Sequence, residues 1–294
     1  MSSQKELKED LAAVGAIKSI TSVYQEIASF RMNELRDRVT ATREFLEGIS
    51  SVYNHAKTAY IAGVKARSPR EREKLWNSLS FVRRNGKKVY VYLSANEHLY
   101  GTLILDVWGH YINDLNKDQA DSAVVGSIGG YLLGNEKINV KKETFELNDD
   151  QPGVDQVKKI VDFISQYEQV VIYHGQMVTV LNQIPVRSEI SGGISFDKNI
   201  GKTAKNYLFE PSPESILEFF ESEIIAALFN QTILEHQLAR FAARMVAMDQ
   251  ATENANEESK RISRQIRMLS RRITNRKQLE VFAGFSIWGK GEQV

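Results

Sequence analysis

From Glu214 to Ala283 the chain contains neither Gly nor Pro, and no other property of the sequence limits its fold as strongly. Apolar or small residues recur there three and four apart, through Leu217, Phe220, Ile224, Ala227, Gln231, Leu234, Leu238, Phe241, Met245, Met248, Thr252, Ala255, Ser259, Ile262, Ile266, Leu269 and Ile273. This is the spacing of the seam of a left-handed coiled coil. One helix of about 70 residues is about 100 Å long at the α-helical rise. Most of it therefore has to find a partner rather than a core. Pro211 and Pro213 place its start, because Pro is tolerated in the first turn and not further in.

The N-terminal residues predict that partner. Leu7, Leu11, Val14, Ile17, Ile20, Tyr24 and Ile27 recur at helical spacing, and after a shift the repeat resumes as Met32, Leu35, Val39, Thr42, Leu46, Ile49, Tyr53, Ala56 and Tyr60. Gly15 and Gly48 each cost this helix about 1 kcal/mol relative to Ala, which cooperative pairing can absorb. On this reading Ile20, Tyr24 and Ile27 face the C-terminal helix between Leu238 and Ile273. Long helices at both ends of a chain fold back most simply as an antiparallel coiled coil. The chain then divides into an N-terminal helix over 1–66, a central domain over 67–210 and a C-terminal helix over 211–294.

In the middle the period changes. Ser68 to Lys88 is polar and basic and reads as a connection, with Pro69 as a breaker. Val89 to Leu93 is a short β-rich run. Leu103, Val107, Tyr111 and Leu115 then fall four apart, Val124 and Val125 run into a Gly-rich turn, and Val154 to Tyr167 is amphipathic. Val170 to Tyr173 and Met177 to Val186 read as two strands separated at Gly175, and Ile190 to Lys205 reads as an exposed loop returning to Tyr207-Leu208-Phe209. Strands alternating with helices predict a small α/β, Rossmann-like sheet with parallel pairing. The fold class expected is α/β with a long antiparallel coiled coil of the two terminal helices.

Candidate chemistry is sparse. Gly126-Ser127-Ile128-Gly129-Gly130 lacks the Lys-Ser/Thr of a phosphate-binding loop and reads as a plain turn. His55, His98, His110, His174 and His236 show no metal-ligand spacing and read as surface or hydrogen-bonded structural histidines. Ser94 lacks the glycines of a nucleophile elbow. No catalytic residue, cofactor site or metal site is assigned. Zero Cys excludes disulfides and thiolate sites, which suits a reducing compartment, and a net charge of +1 argues against whole-chain binding to nucleic acid. No apolar run approaches the roughly 20 residues of a membrane span, and the Lys/Glu-rich start does not read as a secretory signal.

The last part of the long helix carries Lys260, Arg261, Arg264, Arg267, Arg271, Arg272, Arg276 and Lys277 without an acid among them. A solvated face is the ordinary reading, and steering of an acidic protein partner is the alternative. A DNA-binding zipper fits poorly, since its basic region precedes the heptads, whereas here the heptads continue through it. From the residues alone two functions remain open, a tethering coiled coil with an α/β head and an α/β enzyme with helical dimerisation arms. A stable homodimer favours the first, and nucleotide or substrate binding by the isolated chain favours the second.

Four regions resemble one family, the γ subunit of F-type ATP synthases. Ile20-Thr21 with Ala28-Ser29-Phe30-Arg31-Met32 is similar to its Ile-Thr and Ala-Ser-Lys-Met, and Tyr207 to Pro213 to its Tyr-Leu-Tyr-Glu-Pro-x-Pro. The most specific match is Ala242-Ala243-Arg244-Met245-Val246-Ala247-Met248 with Ala251 to Ala255. Ile273-Thr274 and Glu280-Val281-Phe282-Ala283-Gly284 resemble the C-terminal signature, here with one extra residue and with Arg276 in place of Glu. Where the family has Asp-Arg-Gly-Leu-Cys-Gly-Gly-Leu, this chain reads Asn96-Glu97-His98-Leu99-Tyr100-Gly101-Thr102-Leu103. The resemblance implies a non-catalytic rotor inside an α3β3 hexamer, in an F-type or specialised F1-like ATPase. It would meet an ε-like subunit and a membrane ring of c subunits, peripherally, at the cytoplasmic face of the membrane. It also implies partner contacts at Thr21, Tyr24, Arg31, Met32, Arg244, Met245, Met248, Arg271, Arg272, Thr274, Glu280, Phe285 and Trp288.

Overall fold

The computed structural model describes residues 3–63, 84–118, 120–136, 140–190 and 212–288. Two helices dominate it, α1 over Gln4–Gly63 and α5 over Pro213–Trp288, and both contain the glycine-poor heptad stretches. Between them come β1 (Lys88–Leu93), α2 (Leu103–Lys117), β2 (Asp121–Val125), α3 (Ser127–Asn135), β3 (Lys142–Phe145), α4 (Val154–Ile164), β4 (Gln169–Thr179) and β5 (Asn182–Glu189). The chain forms two compact units, one of Met1–Ile27 with Met245–Val294 and one of Ala28–Arg244.

In the larger unit the five strands lie in the order β3-β2-β1-β4-β5. β1, β2, β3 and β4 pair in parallel, with Tyr92 opposite Val124 on one side and Tyr173 on the other. β5 closes the sheet as an antiparallel edge. Alternation decides the two faces. Tyr90, Tyr92, Val124, Val171 and Tyr173 pack under α2 with Leu133 of α3 and with Ala239 and Ala243 of α5. Val89, Val91, Leu93, Ala123, Val170 and Ile172 pack on Ile160 and Ile164 of α4 and on Ile225, Phe229 and Ile233 of α5. Tyr111 stacks on Tyr92 at 5.4 Å and meets Tyr173 edge-on at 5.5 Å. Their hydroxyls are satisfied, Tyr111 with Ser122 Oγ at 2.5 Å and Tyr173 donating to Asp114 at 2.8 Å. In the same unit α1 meets α5 through Tyr53, Ala56, Leu217 and Ile224, and Tyr53 donates to the buried Glu221 at 2.8 Å.

In the smaller unit the two helices also run antiparallel. Gln4 donates to Ser270 Oγ at 3.1 Å, Thr21 shares a 2.7 Å hydrogen bond with Thr252, and Gln25 donates to Asp249 at 3.0 Å.

Four readings need correction. Ile17, Ile20, Tyr24 and Ile27 do not face the C-terminal helix; all four are exposed, while Thr21 is buried in their place. The buried positions Leu7, Thr21, Ala28, Met32, Leu35, Val39, Leu46, Tyr53 and Ala56 follow one heptad register with no shift between Ile27 and Met32, and toward the end of α1 Ser50, Asn54, Lys57 and Ile61 are buried one position later. Small or hydroxyl side chains keep that register because Thr21 finds the Thr252 hydroxyl, whereas a shift would disturb every later layer. The break placed at Gly175 lies instead at Val180-Leu181, with Gly175 inside β4, where a Cβ would come within 2.9 Å of Leu103. β3 has no counterpart in the reading, because Lys142-Glu143-Thr144-Phe145 is a mostly exposed edge without apolar alternation. Finally, the Gly-rich segment is more than a turn. Gly126, at φ 101°, makes the turn, and Ser127 starts α3. Most of the Ser68–Lys88 connection, the Ile190–Lys205 loop and Tyr207-Leu208-Phe209 lie outside the described residues.

Candidate functional site

The carboxyl ends of β1 and β4 flank the point where the strand order reverses, the place where open α/β sheets hold their ligands. Here a stripe of α5 fills it. His236, Gln237, Arg240 and Arg244 recur at helical spacing, and Ala239, Ala242 and Ala243 beside them are small enough to let the helix approach closely.

His236 bridges the two strands. Its Nδ1 accepts the Gly175 N–H at 2.9 Å, and its Nε2 lies 3.2 Å from the Ser94 carbonyl oxygen, to which it donates. With one nitrogen accepting and the other donating, the ring is neutral and its tautomer assigned by its neighbours. Burial, then the charges of Arg240 and His174, holds its pKa well below the ordinary histidine value, against the opposing effect of the Ser94 hydrogen bond. His174, on β4, is also lowered by burial.

Asp149 is the second anchor. One carboxylate oxygen accepts the backbone N–H groups of Asn96 and Glu97, both at 2.9 Å, and the other faces Arg240 Nη1 at 2.8 Å as an ion pair. The Asp149 carbonyl accepts Gln237 Nε2 at 2.7 Å and Arg240 Nη2 at 3.0 Å. Arg240 and Asp149 are only 5% and 8% exposed at their side chains, so the pair is isolated from solvent. Next along α5, Arg244 donates to Glu97 at 2.7 Å and to the His98 carbonyl at 3.1 Å. Tyr100 lies under both guanidinium groups, 4.2 Å from Arg244 and 5.2 Å from Arg240. Burial pushes its hydroxyl up to about 12.

The loop that receives the helix needs two left-handed residues, Leu99 at φ 74° and Gly101 at φ 59°. Asn96 ties it down, donating to Leu147 and accepting the Ser127 N–H at 2.9 Å. What remains of the crevice is a cavity of ≈ 10 Å³, lined by Ser94, Gly126, Asp149, His236, Gln237 and Arg240 among others. That is about the space of one water. Chemically the arrangement is a clamp: sliding or turning α5 against the sheet strands a buried charge and several buried polar groups, each costly to leave unpaired.

The residues expected at partner surfaces separate into two groups. Thr21, Met32 and Met248 are buried, Met245 is half-buried, and Arg244 belongs to the clamp. Tyr24, Arg271, Arg272, Thr274 and Glu280 are exposed, Glu280 beside Arg276 at 3.0 Å, and half-buried Arg31 pairs with Glu34 at 3.0 Å. The side chains of Phe285 and Trp288 lie outside the described residues. Sequence reasoning missed Asp149, Arg240, Gln237 and the role of His236. The signal was present in the alanines, since a polar stripe flanked by Ala239, Ala242 and Ala243 marks a face in close contact rather than a solvated one.

A family profile described as ATP synthase matches residues 3–281. The ATP synthase gamma chain of Mannheimia succiniciproducens is 26% identical over 270 residues, covering 87% of this chain and 89% of that one. The ATP synthase gamma chain of Haemophilus influenzae is 25% identical over 270 residues with the same shares. Among solved structures, the rotor of the Euglena gracilis mitochondrial ATP synthase is similar with a TM-score of 0.62 and 12% identity, over 92% of this chain and 98% of that chain. The central stalk/c-ring of the Tetrahymena thermophila mitochondrial ATP synthase is similar with a TM-score of 0.56 and 18% identity, over 79% and 99%.

Proposed function

The chain belongs to the ATP synthase family, and from that premise we propose that it is the central-stalk rotor, the γ subunit, of an F-type or F1-like rotary ATPase. Its partners are the α and β subunits of the catalytic hexamer, an ε-like subunit and the membrane c-ring. It couples rotation to ATP synthesis or hydrolysis and to ion transport without catalysing a reaction itself. We place it peripherally, at the cytoplasmic face of the membrane; no helix among the described residues is long and apolar enough to cross one. For function we divide the chain into the N-terminal helix (1–66), the central domain (67–210) and the C-terminal helix (211–294).

The observation that carries this reading is the clamp. A binding sheet would leave its switch-point crevice open, whereas here α5 spends His236, Gln237 and Arg240 closing it. The same uninterrupted helix continues as one partner of a seam with α1. A helix locked to a sheet by buried charges and paired with α1 as far as Ser270 transmits torque, because turning it breaks those contacts. A shaft of this kind acts on the hexamer through differential contact with each β conformation.

The test is affinity isolation of the native complex. Co-purification of α- and β-like ATPase chains is expected, and the isolated chain should hydrolyse no ATP after repurification. A stable homodimer without those chains, or an ATPase activity that stays with the pure chain, overturns the reading.

A further inference from the structure

The turn that leads into β1 holds the only Asn-Gly pair of the chain, Asn85-Gly86, and both residues are exposed. Asn85 Oδ1 accepts the Lys87 N–H at 2.8 Å, so its carboxamide is folded forward over the peptide that joins it to Gly86. Gly86 sits at φ 70°, with open space where a Cβ would stand, and among the described residues its N–H donates to no group. Asn148 supplies the contrast. It is exposed too, and its Oδ1 accepts the N–H groups of Asp150 and Gln151 at 3.0 and 2.9 Å. The residue that follows it is buried Asp149, however, whose side chain crowds the intervening nitrogen.

We propose that Asn85-Gly86 is a self-modification site, where the chain converts its own asparagine to aspartate and isoaspartate. This goes beyond the rotor reading and does not depend on it. Solvent base takes the Gly86 amide proton, and the nitrogen attacks Asn85 Cγ to close a five-membered ring. Glycine leaves that nitrogen uncrowded, and the Lys87 N–H already on Oδ1 meets the negative charge that develops there. The bond from Cγ to Nδ2 then breaks and ammonia leaves. Water opens the resulting imide at either carbonyl, so the net change is amide plus water to carboxylate plus ammonium. Opening at the side-chain carbonyl gives aspartate, which can still accept the Lys87 N–H. Opening at the backbone carbonyl gives isoaspartate, with one more methylene in the main chain. That extra length falls between two pinned points: the Asn85 N–H donates to the Gln166 carbonyl at 2.8 Å, and the Lys87 carbonyl accepts the Glu168 and Gln169 N–H groups at 2.9 and 3.2 Å. Isoaspartate, and not aspartate, therefore loosens the entry of β1, the middle strand of the sheet.

The intact chain is aged at mildly alkaline pH, folded or unfolded in guanidinium chloride. Peptide mass mapping then locates the amide-to-acid mass gain, and isoaspartyl methyltransferase labels isoaspartate. In the folded chain Asn85 should convert about tenfold faster than Asn148, because the nitrogen that attacks it is open. At Asn85 the folded chain should convert at least as fast as the unfolded one. Gly86→Ala should slow conversion about tenfold. Because φ 70° strains alanine, a second variant, Asn85→Gln, keeps the carboxamide but lengthens the ring to be closed, and it should abolish the signal in a chain that melts like the original. Amide exchange at Glu168 and Gln169 should rise in the isoaspartate fraction and stay unchanged in Asn85→Asp. Conversion about tenfold slower in the folded chain than in the unfolded one shows that the turn protects the amide and overturns the proposal. Equal rates at Asn85 and Asn148 overturn it as well. Isoaspartate at position 85 with exchange at 168 and 169 unchanged overturns the loosening of β1.

Discussion

Two ionic contacts of one helix, a turn apart, differ in environment, and that difference predicts their energies. Arg240 and Asp149 are both nearly inaccessible, so Arg240→Ala leaves a carboxylate buried with two backbone donors and the Tyr100 hydroxyl at 3.5 Å but no cation on it, and should cost about 3–5 kcal/mol. Glu97 is 55% exposed although Arg244 is only 5%, and Glu97→Ala leaves that guanidinium on the His98 carbonyl and the Tyr100 ring, so it should cost less, about 1–3 kcal/mol. Urea unfolding of the two variants measures both; similar losses would show that the clamp is not centred on Asp149. His236 predicts a pH dependence. Its folded pKa is depressed, so its contribution is fully present above the unfolded value of about 6.5 and is lost as pH falls below it, when the unfolded chain takes up a proton that the folded chain refuses. His174 acts in the same direction. Melting temperature should therefore fall between pH 7 and 5, and His236→Gln should flatten part of that slope.

At the scale of elements, glycine spacing and seam chemistry set how closely things pack. In α3 a Cβ on Gly129 would lie 2.5 Å from Val124 Cγ1 and 2.9 Å from both Ser94 Cβ and Tyr92 Cε1. Gly129→Ala should thus destabilise by about 1–3 kcal/mol, although alanine is the better helix former, and thermal melts give the sign directly. The Thr21–Thr252 pair makes the opposite case. Thr21 also donates to the Lys18 carbonyl at 3.1 Å, so Thr252 is the donor of the pair; Thr21→Val alone leaves the Thr252 hydroxyl without that acceptor, whereas the double change removes both polar groups from the seam and should be neutral or stabilising. A double variant less stable than both single ones would mean that the hydroxyl pair, and not the small size of these residues, holds the register.

For the whole molecule the question is which length of shaft carries torque. Gln4, at the start of α1, bonds Ser270, and residues 271–283 beyond it are exposed on every side of α5. A single helix bends more easily than a paired one, so coupling belongs to the paired length. Deleting Phe285 to Val294 should lower assembly or turnover while hydrolysis stays tied to ion pumping. Replacing Met245 and Met248 by Asp, which puts charge at one half-buried and one buried position, should disrupt the shaft. ATP hydrolysis and ion pumping by the reconstituted complex distinguish the two; complete uncoupling by the tail deletion in an assembled complex would place torque at the tip.

The sequence by itself determined the two long helices and the apolar strands of the sheet, because those follow from local periodicity: three-four spacing over glycine-poor stretches, and β-branched runs such as Val89 to Leu93. It was silent where neighbours in space decide. Ile17, Ile20, Tyr24 and Ile27 have the periodicity of a seam, yet which of two adjacent stripes turns inward depends on the helix more than 200 residues away, and Thr252 and Asp249 select Thr21 and Gln25. β3 is held by its pairing with β2 and by Phe145 against the Phe163 ring, and its other residues are polar, so it carries no apolar alternation to read. Arg240 drew no reading and His236 read only as a surface or hydrogen-bonded structural histidine, since a polar side chain is buried only when complementary groups meet it. Asp149, the amides of Asn96 and Glu97, the Ser94 carbonyl and the Gly175 N–H come together only after the sheet has formed. That convergence of distant polar groups, and not any motif, makes the junction.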